Sequence, residues 1–164
     1  MGVELYRIDD RLIHGQVVVG WGQPLDLGFI VLVDDEVAAS DWEQELYRMG
    51  VPPGMDVFFE SVDGAAASHA RYQDDARPGI VLTGDIATMT RLVDQTNGVI
   101  RAVNVGGIHH RAGRSQRLRY VFLTPDEERQ LRELARRGVT VTAQDVPAAR
   151  PVPLDDVLAG TADT

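Results

Sequence analysis

Between residues 7 and 16 the chain reads Arg7-Ile8-Asp9-Asp10-Arg11-Leu12-Ile13-His14-Gly15-Gln16, one histidine behind two arginines and two aspartates. A neutral imidazole has a nucleophilic lone pair. With an ordinary pKa of about 6.5 it is mostly unprotonated near pH 7.5. It can attack a phosphoryl group and hold it as a phosphohistidine. Such transfer asks mainly for positioning and for positive charge opposite three equatorial oxygens. Arg11 and Arg7 supply planar forks suited to those oxygens. Gly15 lets backbone approach closely, and amides entering a following helix add about 0.3–2 kcal/mol of anion stabilisation. Asp9 or Asp10 can accept the other ring N–H and fix the tautomer, or can lock an arginine instead. The candidate catalytic residues are therefore His14, Arg11 and Asp10, with Arg7, Asp9, Gly15 and Gln16 lining the phosphoryl edge. A lone loop histidine is ordinarily a bland polar residue; the charged cluster around this one argues otherwise.

Such a cluster needs a scaffold, and the surrounding pattern supplies one. Short β-branched runs predict strands at residues 3–7, 29–33, 56–60, 80–83, 100–104, 119–123 and 139–143. Helical patterns alternate with them. Ser40 opens one as a capping box with Glu43, and Leu46 and Met49 supply its apolar face. Asp85 caps the next, which carries Ile86, Met89, Leu92 and Val93 at helical spacing. Thr124-Pro125-Asp126-Glu127 starts a third, buried through Leu131 and Leu134 and stopped by Gly138. The run 17–21 is read as a helical crossover ending at Pro24. Alternation of this kind predicts an α/β domain with a mainly parallel sheet covered on both faces. Ligands bind such sheets beyond the carboxyl ends of the strands. His14 follows the first predicted strand, Asp34-Asp35 the second, Thr83-Gly84-Asp85 the fourth, and Asn104 to Gly107 the fifth.

Length and composition fit one domain over 1–164, with 147–164 as a proline-broken tail: 164 residues, 44% hydrophobic. No run approaches the roughly 18 apolar residues of a membrane span, and Glu4, Arg7 and Asp9 interrupt any leader-like start. A cytoplasmic protein is expected. There is no cysteine, hence no disulfide framework and no thiolate metal site. A net charge of −9 argues against a nucleic-acid binder. The charge is uneven, however. Residues 95–125 hold no acid and five arginines, Arg101, Arg111, Arg114, Arg117 and Arg119, an island of +5 on a remainder of −14. Such an island points to an anionic ligand or an acidic partner, against the plainer reading of solvated loop arginines. All 16 basic residues are arginine. The paired acids Asp34-Asp35 superficially suit a response-regulator receiver, but that chemistry requires a lysine. His14, His69, His109 and His110 have no metal-ligand spacing, so no metal site is expected.

RIDDRLIHGQV closely resembles the active-site signature of the B components (IIB) of the sugar phosphotransferase system, mannose/fructose/sorbose family. The resemblance continues through VLVDDEVAASDWEQELYRMGVPPGMDV (31–57), VNVGGIHHRAGRSQ (103–116) and LRELARRGVTVTAQDVP (131–147). It implies a three-layer α/β/α domain with strand order 3-2-4-1-5-6 and room for one further edge strand. Thr83, Gly84, Asn104, Gly106 and Gly107 would then flank the histidine loop. It also implies that His14, through Nδ1, accepts a phosphoryl group from the phosphohistidine of a IIA component. The group then passes to a sugar held by membrane IIC and IID components, with which the protein associates peripherally. Arg11 matches the family's phosphoryl-binding arginine, and Arg111, Arg114 and Arg117 become a docking face for an acidic IIA. No cofactor or metal is implied, and a homo-oligomer is allowed. A rival keeps the fold but makes the chain a regulatory phosphoacceptor uncoupled from transport.

Overall fold

The computed structural model describes residues 2–160. Its strands are β1 (Gly2–Ile8), β2 (Phe29–Val33), β3 (Asp56–Glu60), β4 (Pro78–Thr83), β5 (Ala102–Val105), β6 (Ser115–Leu118), β7 (Val121–Leu123), β8 (Thr140–Ala143) and β9 (Val152–Pro153). Seven of them form one sheet in the order β3-β2-β4-β1-β5-β8-β9, parallel except for β9, which runs antiparallel along β8. The α/β class and the predicted order 3-2-4-1-5 are both observed. The sixth place belongs to β8, and β9 is the further edge strand. The predicted strand at 119–123 turns out differently. Its first two residues form the tight turn of a separate antiparallel hairpin, β6–β7. In β6 only Leu118 is buried, too little apolar surface for a strand covered on both faces, and its partner is β7.

The helices are α1 (Asp35–Ala38), α2 (Asp41–Met49), α3 (Val62–Ala67), α4 (His69–Gln73), α5 (Ile86–Gln95), α6 (Pro125–Arg136) and α7 (Leu154–Ala159). On one face of the sheet, Ile86, Met89, Leu92, Leu131, Leu134 and Val157 pack against Ile8, Val81, Val103 and Val141. The opposite face is covered by Leu12, Ile13, Val17, Val18 and Val37, packed on Ile30, Leu32, Ile80 and Leu82. β2 is apolar at every position because both layers bury it. The caps follow the predicted residues: Asp85 Oδ1 accepts from the Thr88 N–H at 2.7 Å, and Thr124 with Glu127 forms a full capping box. Gly138, at φ 89°, ends α6 in the left-handed region that glycine tolerates best.

Two local expectations are corrected. The run after His14 is helical, but as a π-helical segment over Gln16–Trp21, and Gly22 donates back to Val17 O. Helix α2 buries nothing: Leu46 and Met49, predicted to face the core, are 54% and 79% exposed, with Trp42 at 73% beside them. The tail forms β9 and α7 through residue 159; its last four residues lie outside the described ones.

Candidate phosphoryl site

β1 lies between β4 and β5, so the loop leaving it at Asp9 emerges between the loops leaving those strands. Backbone bonds lock the three together. Asp9 N donates to Thr83 O at 2.9 Å, Asp10 N to Gly107 O at 2.8 Å, and Gly106 N to Ile8 O at 2.7 Å. Thr83 is buried, its hydroxyl donating to Asp85 O at 3.3 Å, and Gly84 lies under Leu12, where a Cβ would come within 3.3 Å of the leucine side chain. Leu12 itself is left-handed, at φ 58°, a conformation disfavoured for a bulky residue and held here by burial.

Arg7 is fully buried at the base of the site. Its guanidinium donates to the Asn104 side chain, to Gln144 O at 2.8 Å, to Asp145 O at 3.3 Å and to Asp9 Oδ2 at 3.5 Å. The Trp21 ring covers it at 4.6 Å. Burial lowers the Arg7 pKa, and Asp9 and Asp145 oppose that shift. Gly106 is small for a reason: a Cβ there would stand 2.3 Å from Arg7 Nη2. Arg7 is thus a buried structural cation that fixes Asp9, with both terminal nitrogens committed and Nε left without a hydrogen-bond partner.

Asp9, also buried, reads the histidine. His14 Nε2 lies 3.2 Å from Asp9 Oδ1, at ion-pair distance but off the line of a hydrogen bond. Burial alone would raise the Asp9 carboxyl; contacts with His14, Arg7 and the Arg11 N–H outweigh it and hold the pKa below the ordinary carboxylate value. The other ring nitrogen, Nδ1, accepts a long 3.3 Å bond from Gln16 N–H. An acceptor at Nδ1 places the proton on Nε2, toward the carboxylate. The ring therefore presents a lone pair at Nδ1, and 16% of the side chain is exposed. Gly15 has open space where a Cβ would be, at an ordinary helical φ of −52°. Arg11 is half-exposed. Its Nε stands 3.9 Å from Asp9 Oδ1 and its Nη2 donates to Gln16 Oε1 at 3.0 Å.

Of the two aspartates, Asp9 and not Asp10 faces the His14 ring. Asp10, expected in the catalytic group, instead accepts from the His109 N–H at 2.7 Å and meets His109 Nδ1 at 2.6 Å. It clamps the neighbouring loop. The helix amides expected to bind the anion are also committed, Val17 and Val18 N–H both bonding to His14 O at 3.0 Å.

The basic island fares worse as a docking face. Arg114 is 8% exposed and grips Glu127 with two bonds of 3.0 and 2.7 Å, plus His109 O at 2.8 Å. Arg117 pairs with Glu128 and reaches Leu158 O at 3.3 Å. Acids from α6, absent from the island's own sequence, neutralise both. Arg111 stays exposed.

Sequence reasoning missed Gln144, Asp145 and Trp21. Gln16 Nε2 donates to Asp145 Oδ1 at 2.6 Å, Trp21 Nε1 to Asp145 O at 3.1 Å and Arg119 Nη2 to Asp145 Oδ2 at 2.7 Å. The signal was there. Gln144 and Asp145 follow β8 at the carboxyl edge, the placement that singled out every other loop.

Comparison with known proteins fits this arrangement of sheet and loop. A family model described as "PTS system sorbose subfamily IIB component" matches residues 3–163. The sorbose-specific EIIB component of Klebsiella pneumoniae is 33% identical over 165 residues, covering 99% of this chain and 98% of that protein. The mannose-specific EIIAB component of Escherichia coli K12 is 31% identical over 89% of this chain, which spans 45% of that protein. The crystal structure of the IIBSor domain of the K. pneumoniae sorbose permease superposes with a TM-score of 0.86 at 32% identity, covering 99% of each chain. Fold and site thus define a IIB-type α/β domain. The chain belongs to the sorbose-subfamily IIB components of the phosphotransferase system.

Proposed function

We propose that this chain, acting as a single domain, is a phosphoryl carrier of sugar uptake, with His14 as its acceptor and a IIA component as its donor. The observation that carries the reading is the orientation of the His14 ring. Nε2 is turned toward Asp9, while the Nδ1 lone pair is engaged by a single long bond of 3.3 Å from Gln16 N–H, which an incoming phosphorus would displace. In the first step Nδ1 attacks phosphorus, the bond to the donor's histidine breaks, and the Nε2 proton stays against Asp9, which offsets the imidazolium charge. In the second, a hydroxyl oxygen of a sugar held by membrane IIC and IID components attacks phosphorus. The Nδ1–P bond then breaks and the hydroxyl proton passes to solvent. Arg11, the half-exposed cation that shares Asp9 with His14, supplies charge to the phosphoryl oxygens in both steps. A relative bearing IIA and IIB in one name supports a IIA donor. Among the described residues no helix is long and apolar enough to cross a membrane, which fits a peripheral subunit.

Incubation with a phosphorylated IIA component and mapping of the acid-labile phosphate tests the assignment. Label should appear on His14 and vanish in His14→Ala. Label that persists in that variant, on His69, His109 or His110, would overturn it.

A further inference from the structure

Arg11 is a half-exposed cation that faces the same Asp9 Oδ1 as His14, at 3.9 Å against 3.2 Å, and its guanidinium donates its side-chain hydrogen bond to Gln16. The Gln16 amide is held at both ends by groups of opposite character. Its Nε2 donates to Asp145 Oδ1 at 2.6 Å, and its Oε1 accepts from Arg11 Nη2 at 3.0 Å. A carboxylate only accepts and a guanidinium only donates, so the amide has one orientation that satisfies both. Reversing it would set oxygen against oxygen and NH2 against guanidinium. Asp145 is itself well placed to act as the fixed end. Its backbone carbonyl takes Trp21 Nε1 at 3.1 Å and Arg7 at 3.3 Å, and its Oδ2 takes Arg119 Nη2 at 2.7 Å. The Arg119 pair also offsets a negative charge that would otherwise face an incoming phosphoryl group.

We propose that Asp145, just past the end of β8, is a positioning residue for phosphoryl transfer: through the Gln16 amide it holds the Arg11 guanidinium on the His14 side of the loop, where both side chains face Asp9. The inference rests on His14 being the phosphoryl acceptor. It assigns work to a residue remote in sequence that touches neither the imidazole nor the phosphoryl group. Loss of Asp145 should leave the nucleophile intact and release Arg11 to solvent.

The test uses phosphoramidate, a small donor that needs no partner docking. Nδ1 attacks its phosphorus, the P–N bond breaks, and ammonia leaves. Phosphohistidine formation is followed by intact mass for wild type, Asp145→Ala, the isosteric Asp145→Asn, Arg11→Ala and the Asp145→Ala/Arg11→Ala double variant. Asp145→Ala should slow phosphorylation roughly three- to thirty-fold, the span of couplings between neighbouring groups, with Asp145→Asn intermediate. In the Arg11→Ala background the same change should cost nothing further, because the group being positioned is gone. Wild-type rates in both Asp145 variants overturn the proposal. So does an equal loss with and without Arg11, which marks a merely structural role. Wild-type label away from His14 would instead overturn the function on which it rests, so the two failures are distinguishable.

Discussion

In the proposed reaction His14 is the nucleophile and Arg11 the charge. Charge-assisted bonds contribute about 1.5–3 kcal/mol, so Arg11→Ala should slow phosphoryl transfer from IIA roughly ten- to hundred-fold. The side chain is half-exposed, so thermal unfolding should be nearly unchanged; a variant that unfolds, or one that transfers at full speed, contradicts the role. Arg7 makes the opposite case. Gly106→Ala would thrust a methyl onto its buried guanidinium, whose partners lie on three strands' loops and leave it nowhere to move. A loss of about 1–3 kcal/mol in urea unfolding is expected, as for overpacked cores. At this scale the sequence announced the right cluster but not its wiring. Two arginines four apart look alike in a string, and so do adjacent aspartates. Only the alternation of β1 decides that Arg7 points inward while Arg11, past the strand's end, meets solvent.

Elements were legible where local rules govern them. Asp85 and Thr124 cap as their spacing requires, and β2 is a continuous apolar run because two layers bury it. Helix α2 misled because an apolar stripe at positions 42, 46 and 49 has the period of a buried face, and periodicity does not say what covers it. Helix α4 begins at His69, packed under the sheet with Nε2 2.6 Å from the Tyr6 hydroxyl. Burial lowers the His69 pKa and raises that of Tyr6 to about 12, so the pair is neutral, Tyr6 O–H donating to the imidazole. The sign follows from linkage. A lowered folded pKa means the unfolded chain binds the extra proton more readily. The contribution of His69 is therefore complete above about pH 6.5 and is lost as pH falls toward the folded value. Denaturant unfolding at pH 7 and pH 5 should show wild type losing stability more steeply than His69→Gln, by at most about 1.4 kcal/mol per pH unit. Parallel slopes would mean that His69 is not the group responsible.

For the molecule as a whole, charge counted along the chain was a poor map of charge in space. The island of 95–125 is answered by Glu127, Glu128 and Asp145, which follow it in sequence and fold back onto it. Arg114→Ala should accordingly lower unfolding stability by about 1–3 kcal/mol by stranding Glu127. Arg111→Ala should leave stability alone and alter only the salt dependence of transfer from IIA, since exposed charges are screened over about 8 Å. The mainly parallel sheet, by contrast, was readable, because strand–helix alternation and the carboxyl-edge rule are properties of the whole sheet, while the strand order came from the family resemblance. The hairpin β6–β7 escaped since alternation predicts strands without saying which sheet receives them.

The strand that carries the site is the first of the sheet in chain order yet lies near its middle, and its guanidinium anchor is bonded to carbonyls 137 and 138 residues away. During synthesis, Arg7 and the loop behind it have Asp9 and Trp21 close in sequence but must wait for β4, β5 and finally β8 before their set of partners is complete. The His14 loop, which precedes those strands in the chain, is therefore among the last features to be organised. Contacts of such long reach slow folding, because loop closure must precede the reward. A nascent chain paused before residue 140 has His14 and Asn104 but lacks both the carbonyls that complete the clamp on Arg7 and the carboxylate that orients Gln16. Under the proposed function, competence for phosphoryl transfer is thereby tied to completion of the sheet.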